Sequence, residues 1–109
     1  MQVEILHFRE CPTPDTVEQL DREVVKDEGL VAEILLREVR TTRQAQRLRF
    51  PGSPTIRVNG NDIEPLGPKT RYGLYCRVYN NDGIMMSWPS KETIRTAILA
   101  AAKRRRSHG

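Results

Sequence analysis

Two cysteines, a proline behind a serine and an arginine are the residues whose types and spacing could do chemistry. Cys11 stands between the apolar run Val3 to Phe8 and a segment of helical periodicity opening at residue 13. A sulfur there lies near the unpaired N–H groups of a helix mouth, where a thiolate is favoured over a thiol. The thiolate is the species that attacks disulfides and binds soft metals. Arg9 favours the ionised form, whereas Glu10 and Asp15 oppose it; the plainer alternative is a buried, unreactive cysteine ending a strand. Ser53-Pro54-Thr55 precedes an alternating stretch, and a proline there behind a small residue suits a cis peptide bond at a sheet end. On its own, after Pro51-Gly52, it reads as an ordinary turn proline.

Cys76 leaves two readings open. It could resolve a mixed disulfide formed at Cys11, or sit half-buried as a structural residue. A bridge needs Cα atoms within about 7 Å, and a simple antiparallel hairpin would carry residue 76 to the opposite end of the sheet. Arg77 alternates with Cys76 and shares a side with Tyr79. It could bind a carboxylate such as that of glutathione, or be a solvated strand arginine. Trp88 either lines a cleft or staples the last helix onto the sheet.

The elements that must position these residues follow from pattern. Val3-Glu4-Ile5-Leu6-His7-Phe8 is a buried strand. Pro12 and Pro14, acidic Asp15 and Glu18, the spacing of Val17, Leu20 and Val24, and Gly29 place a helix over 13–28. Residues 31–39 read as a strand, Thr41 to Gln44 as a capping box opening a helix over 42–50, and Thr55 to Val58 as a strand running into the Asn59-Gly60 turn. Asp62 and Ile63 can begin a return. Pro65, Gly67, Pro68 and Gly73 make 64–74 an irregular loop. Leu74 to Tyr79 resumes a strand, 80–83 turns, and Ser90 caps an amphipathic helix carrying Ile94, Ile98 and Leu99. The predicted class is α/β, with order β-α-β-α-β-β-α and a four-stranded mixed sheet with helices on both faces.

The chain has 109 residues, 38% of them apolar, enough for one modest core and one domain. No run nears the roughly 18 apolar residues of a membrane span, and Met1 to Phe8 is too short and charged for a secretory signal, so a cytoplasmic location without membrane contact is expected. In that compartment both cysteines are expected to be reduced. Lys103, Arg104, Arg105 and Arg106 account for the excess of 18 basic over 14 acidic residues. The basic balance therefore belongs to a tail over 103–109, and nucleic acid is not an expected partner. His7 reads as a core histidine, and no metal site is expected.

Cys-Pro-Thr-Pro at 11–14 after a strand, with Gly-Ser-Pro-Thr at 52–55 before one, resembles the thioredoxin and glutaredoxin superfamily over residues 2–102. More narrowly, with Cys76-Arg77-Val78-Tyr79, the chain is similar to small bacterial thioredoxin-fold proteins, some labelled alkylmercury lyase-like. The resemblance implies a thioredoxin-like domain over 1–102, a nucleophilic thiol at Cys11, and a cis Pro54 that docks substrate together with Ser53 and Thr55. Pro14 stands where the family places its resolving cysteine, so a local dithiol is absent. The function this implies is a thiol-disulfide oxidoreductase using Cys11, resolved by Cys76 or by glutathione as co-substrate, with no bound cofactor. Its partner would be a protein disulfide or a small thiol. The alternative is a non-catalytic module that captures a soft metal such as mercury, or a protein partner.

Overall fold

The structure, a computed structural model, describes residues 1–11 and 14–108, with side chains as far as Arg104. Pro12 and Thr13 of the Cys-Pro-Thr-Pro run, the expected helix start at residue 13, the side chains of Arg105 and Arg106, and Gly109 lie outside the described residues.

The apolar N-terminal run forms β1 (Gln2–His7). Its alternation sends Val3 and Ile5 to one face and Leu6 to the other, all fully buried, so this strand must be covered on both sides. The cover on the first face begins with α1 (Pro14–Asp27), which turns Val17, Asp21 and Val24 inward. It ends in a Schellman turn, where Leu30 N–H donates to Val25 O (3.0 Å) and Gly29 takes φ 63°. The chain returns as β2 (Glu33–Glu38), parallel to β1. Next comes α2 (Thr42–Leu48), whose N-cap Thr41 accepts the Gln44 N–H at 3.0 Å. Arg49, at φ 53°, closes this helix earlier than residue 50, because Pro51 cannot continue it.

Strand β3 (Thr55–Val58) runs antiparallel to β1, and Asn59-Gly60, at φ 52° and 86°, reverses the chain into β4 (Asn61–Asp62). The sheet order is β2-β1-β3-β4, one parallel pair followed by antiparallel ones. The α/β class and the mixed four-stranded sheet stand as expected from sequence. The later strands differ. The fourth strand is the short return after Asn59-Gly60, and Leu74 to Tyr79 does not join the four-stranded sheet: from Leu74 to Val78 only Cys76 makes a bridge, to Ser53, and Tyr79 pairs elsewhere. Extended pairing resumes in β5 (Tyr79–Asn81), which forms a separate hairpin with β6 (Ile84–Met86) across Asp82-Gly83. Sequence pattern missed that hairpin because each arm is too short to show a period.

The last helix, α3 (Lys91–His108), starts where Ser90 Oγ accepts the Thr93 N–H at 3.1 Å. It continues through the basic run rather than ending ahead of it. The main core gathers Val3, Ile5 and Ile56 of the sheet with Val24, Ile94 and Ile98 of α1 and α3, and Trp88 packs against it. The opposite face holds a smaller core of Leu6, Val39, Ala45 and Phe50. No helix among the described residues is long and apolar enough to cross a membrane.

Candidate functional site

Cys11 does not follow directly on the strand. β1 stops at His7, and Cys11 N–H donates back to Phe8 O at 3.1 Å, so a turn presents the sulfur beyond the end of the sheet. Cys76 comes from the far side of the chain to meet it. Their Cα atoms are 6.0 Å apart and the sulfurs form a disulfide that spans 65 positions. The expected pair of reduced cysteines is thus corrected to a bridged one, and the hairpin geometry that would have separated them does not occur. Cys11 is 5% exposed, whereas Cys76 is open to solvent.

Residues 52–55 hold Cys76 in place. Ser53 N–H donates to Tyr75 O and Arg77 N–H donates to Ser53 O, both at 2.8 Å, a parallel bridge centred on Cys76. The Ser53–Pro54 peptide bond is cis. Gly52, at φ 135°, permits the close approach: a Cβ there would lie 3.0 Å from Arg77 Cβ. Ser53 Oγ accepts the Phe8 N–H at 3.2 Å, tying the same segment to the Cys11 turn. Thr55 Oγ1 donates to Gly52 O (2.6 Å), and the Tyr79 hydroxyl donates to Pro54 O (2.6 Å). Cys11, Cys76, Ser53, Pro54, Thr55 and Arg77 therefore sit together at one end of the sheet. In the bridged form the polar groups of residues 53–55 that the family resemblance assigned to substrate are engaged by the chain itself.

Arg77 is buried, and the carboxylate it holds is internal. Its guanidinium donates to both oxygens of Asp62 (2.8 and 3.2 Å), to Glu64 O (2.5 Å) and to Thr55 Oγ1 (3.3 Å). It also lies 4.7 Å above the Tyr79 ring. Burial pushes the Tyr79 hydroxyl above its ordinary range, with Arg77 acting against that push. Sequence reasoning missed Asp62. Its signal was the Asn59-Gly60 turn, which sets Asp62 opposite Arg57 in the ladder and beside the end of β3.

Asp21 was also missed. It is fully buried on the inner face of α1 between Val17 and Val24, and neither carboxyl oxygen has a hydrogen-bond partner among the described residues. Burial, and secondarily the Glu18 carboxylate, push its pKa up to about 7. The helical spacing itself held the clue, since residue 21 falls on the apolar stripe.

Beside the Cys11 turn opens a cleft of about 760 Å³, walled by apolar Phe8, Val39 and Leu74 and by charged Arg9, Glu10, Glu38 and Arg40. Arg40 Nε is paired with Glu38 at 2.6 Å. Among the described residues, no three His, Cys, Asp or Glu side chains gather as a metal site. No family model, no curated protein and no solved structure matches this chain.

Proposed function

We propose that this α/β sheet is a thioredoxin-like domain whose Cys11 and Cys76 form a long-range redox pair, and that the protein exchanges thiols and disulfides in the cytoplasm. The observation that carries the reading is the disulfide between a sheltered Cys11 and a solvent-facing Cys76 beside Pro54. In the reduced protein the Cys11 thiolate attacks one sulfur of a substrate disulfide and expels the other as a thiolate. Cys76, deprotonated, then attacks the Cys11 sulfur of the mixed disulfide and releases the second substrate thiolate. The substrate gains two electrons, and the Cys11–Cys76 bond forms again. Two equivalents of an external thiol such as glutathione reduce it. The first attacks the accessible Cys76 sulfur and expels the Cys11 thiolate. The second attacks the glutathione sulfur of that mixed disulfide, releases the Cys76 thiolate and leaves as glutathione disulfide. The adjoining cleft, with apolar walls and charges of both signs, receives the substrate, either a protein disulfide or a small thiol. Cys76 and its neighbour Tyr75, both exposed, present the outer side of the bond to an incoming thiol.

The test is the alkylation rate of Cys11 against pH in the reduced protein. An apparent pKa below about 8.5 is expected, together with glutathione-dependent reduction of a small disulfide that is lost in Cys11→Ser. A value at or above that of a free thiol, with no turnover, overturns the reading. The closeness of the two sulfurs favours one second reading, in which the reduced pair captures a soft metal without turnover. Turnover that persists after metal removal rejects it.

A further inference from the structure

Strand β2 closes one side of the sheet and carries its backbone groups in two directions. Glu33 N–H donates to Met1 O (2.9 Å) and Val39 N–H to His7 O (2.7 Å), so the odd-numbered residues bond towards β1. The even-numbered Ile34, Leu36 and Glu38 therefore turn their N–H and C=O groups outward. The flank is apolar for an edge: Leu35 is 37% exposed, Leu36 41%, and Val31 just before the strand 91%. No proline or lysine interrupts it.

We propose that β2 pairs antiparallel with β2 of a second copy about a two-fold axis through Leu35, making one continuous sheet across a homodimer. Only registers that match even-numbered residues with even-numbered ones bring outward-facing groups together. An axis at Ile34 would set Glu33 against Leu35. An axis at Leu36 would set Arg37 against Leu35 and Glu33 against Val39. The axis at Leu35 sets Glu33 opposite Arg37 of the partner subunit at both ends, with Leu35 against its own copy between them. On the other face Ile34, which already packs on the main core, meets Leu36 of the partner subunit, so that core continues across the axis. The same two residues exchange the backbone hydrogen bonds. Continued outward, this register carries the exposed Val31 alongside Val39 at the cleft wall of the partner subunit. Arg37 lies 3.7 Å from Glu4 on β1 and has donors left for a second carboxylate. The occupant is a second copy because the strand is complementary in charge to itself in this one register.

The proposal stands apart from the thiol chemistry, and its test leaves Cys11 and Cys76 in place. Sedimentation equilibrium of the full chain is expected to give twice the monomer mass of 12.5 kDa. Leu35→Lys, which sets two like charges on the axis, is expected to return the chain to monomer, as are Glu33→Arg and Arg37→Glu singly. The double variant Glu33→Arg/Arg37→Glu is expected to restore the dimer, and circular dichroism checks that each variant is folded. A monomer mass at every concentration up to about 1 mM overturns the proposal. So does a dimer that survives Leu35→Lys, or a double swap that stays monomeric.

Discussion

Asp21 is a buried carboxyl group with no hydrogen-bond partner among the described residues, and its burial makes it a proton-linked weakness. An unfolded aspartate ionises near 3.8, while burial in the folded protein holds the proton to about 7. Between those values the folded chain binds more protons than the unfolded one, so the contribution to stability is complete below about pH 4 and falls as pH rises through 7. The loss is on the order of 4 kcal/mol at pH 8. Asp21→Asn keeps the shape without the ionisable proton. Urea midpoints are expected to match the parent near pH 4 and to exceed it at pH 8; a gap that does not widen with pH contradicts this account. Arg77 is the second residue-scale case. Arg77→Met strips the donor from Asp62 and Glu64 O in a buried network and is expected to cost about 3 kcal/mol in denaturant unfolding. Arg77→Lys restores little, because an ammonium cannot span both Asp62 oxygens. Residue types and spacing singled out Cys11 and Arg77, and the family resemblance added Pro54. They could not say that the carboxylate beside Arg77 is Asp62, because that depends on where a two-residue strand ends.

Elements with strong local signals were legible: the caps at Thr41 and Ser90, the Asn59-Gly60 turn and the crossover from β1 through α1 to β2 are each set by chemistry within a few residues. The 64–78 segment was not. Its prolines and glycines say only that it cannot pair as a ladder, and the course it takes is decided by the distant contacts of Ser53 with Tyr75 and Arg77. That is why the distance between Cys11 and Cys76 could not be read from spacing. The consequence can be measured. Reducing a disulfide that closes a 65-position separation is expected to lower stability by about 4 kcal/mol. Amide exchange on reduction is expected to quicken at Ser53 and Arg77, the donors of the bridge. Quickening spread evenly over the sheet would argue that this segment is not a separate unit.

At the scale of the molecule, the two buried clusters divide the work: the larger one joins α1 and α3 to the sheet, while the smaller one lies under α2 next to the disulfide end. Sequence conveyed the division through β1, whose Val3 and Ile5 alternate with Leu6. Ile98→Ala empties the centre of the larger cluster and is expected to cost about 2–5 kcal/mol. The whole chain should still melt in one transition with the disulfide intact, and a biphasic urea curve would mean that the clusters unfold separately. Arg77, fastened to Asp62 at the foot of the β3–β4 turn, has one further effect. That ion pair does not depend on the sulfur bond, so when the bond opens Cys76 remains on a leash one residue long. Once a substrate disulfide has left its sulfur on Cys11, closure by Cys76 is then an encounter within one molecule, at a local thiol concentration that dilution of the protein does not change.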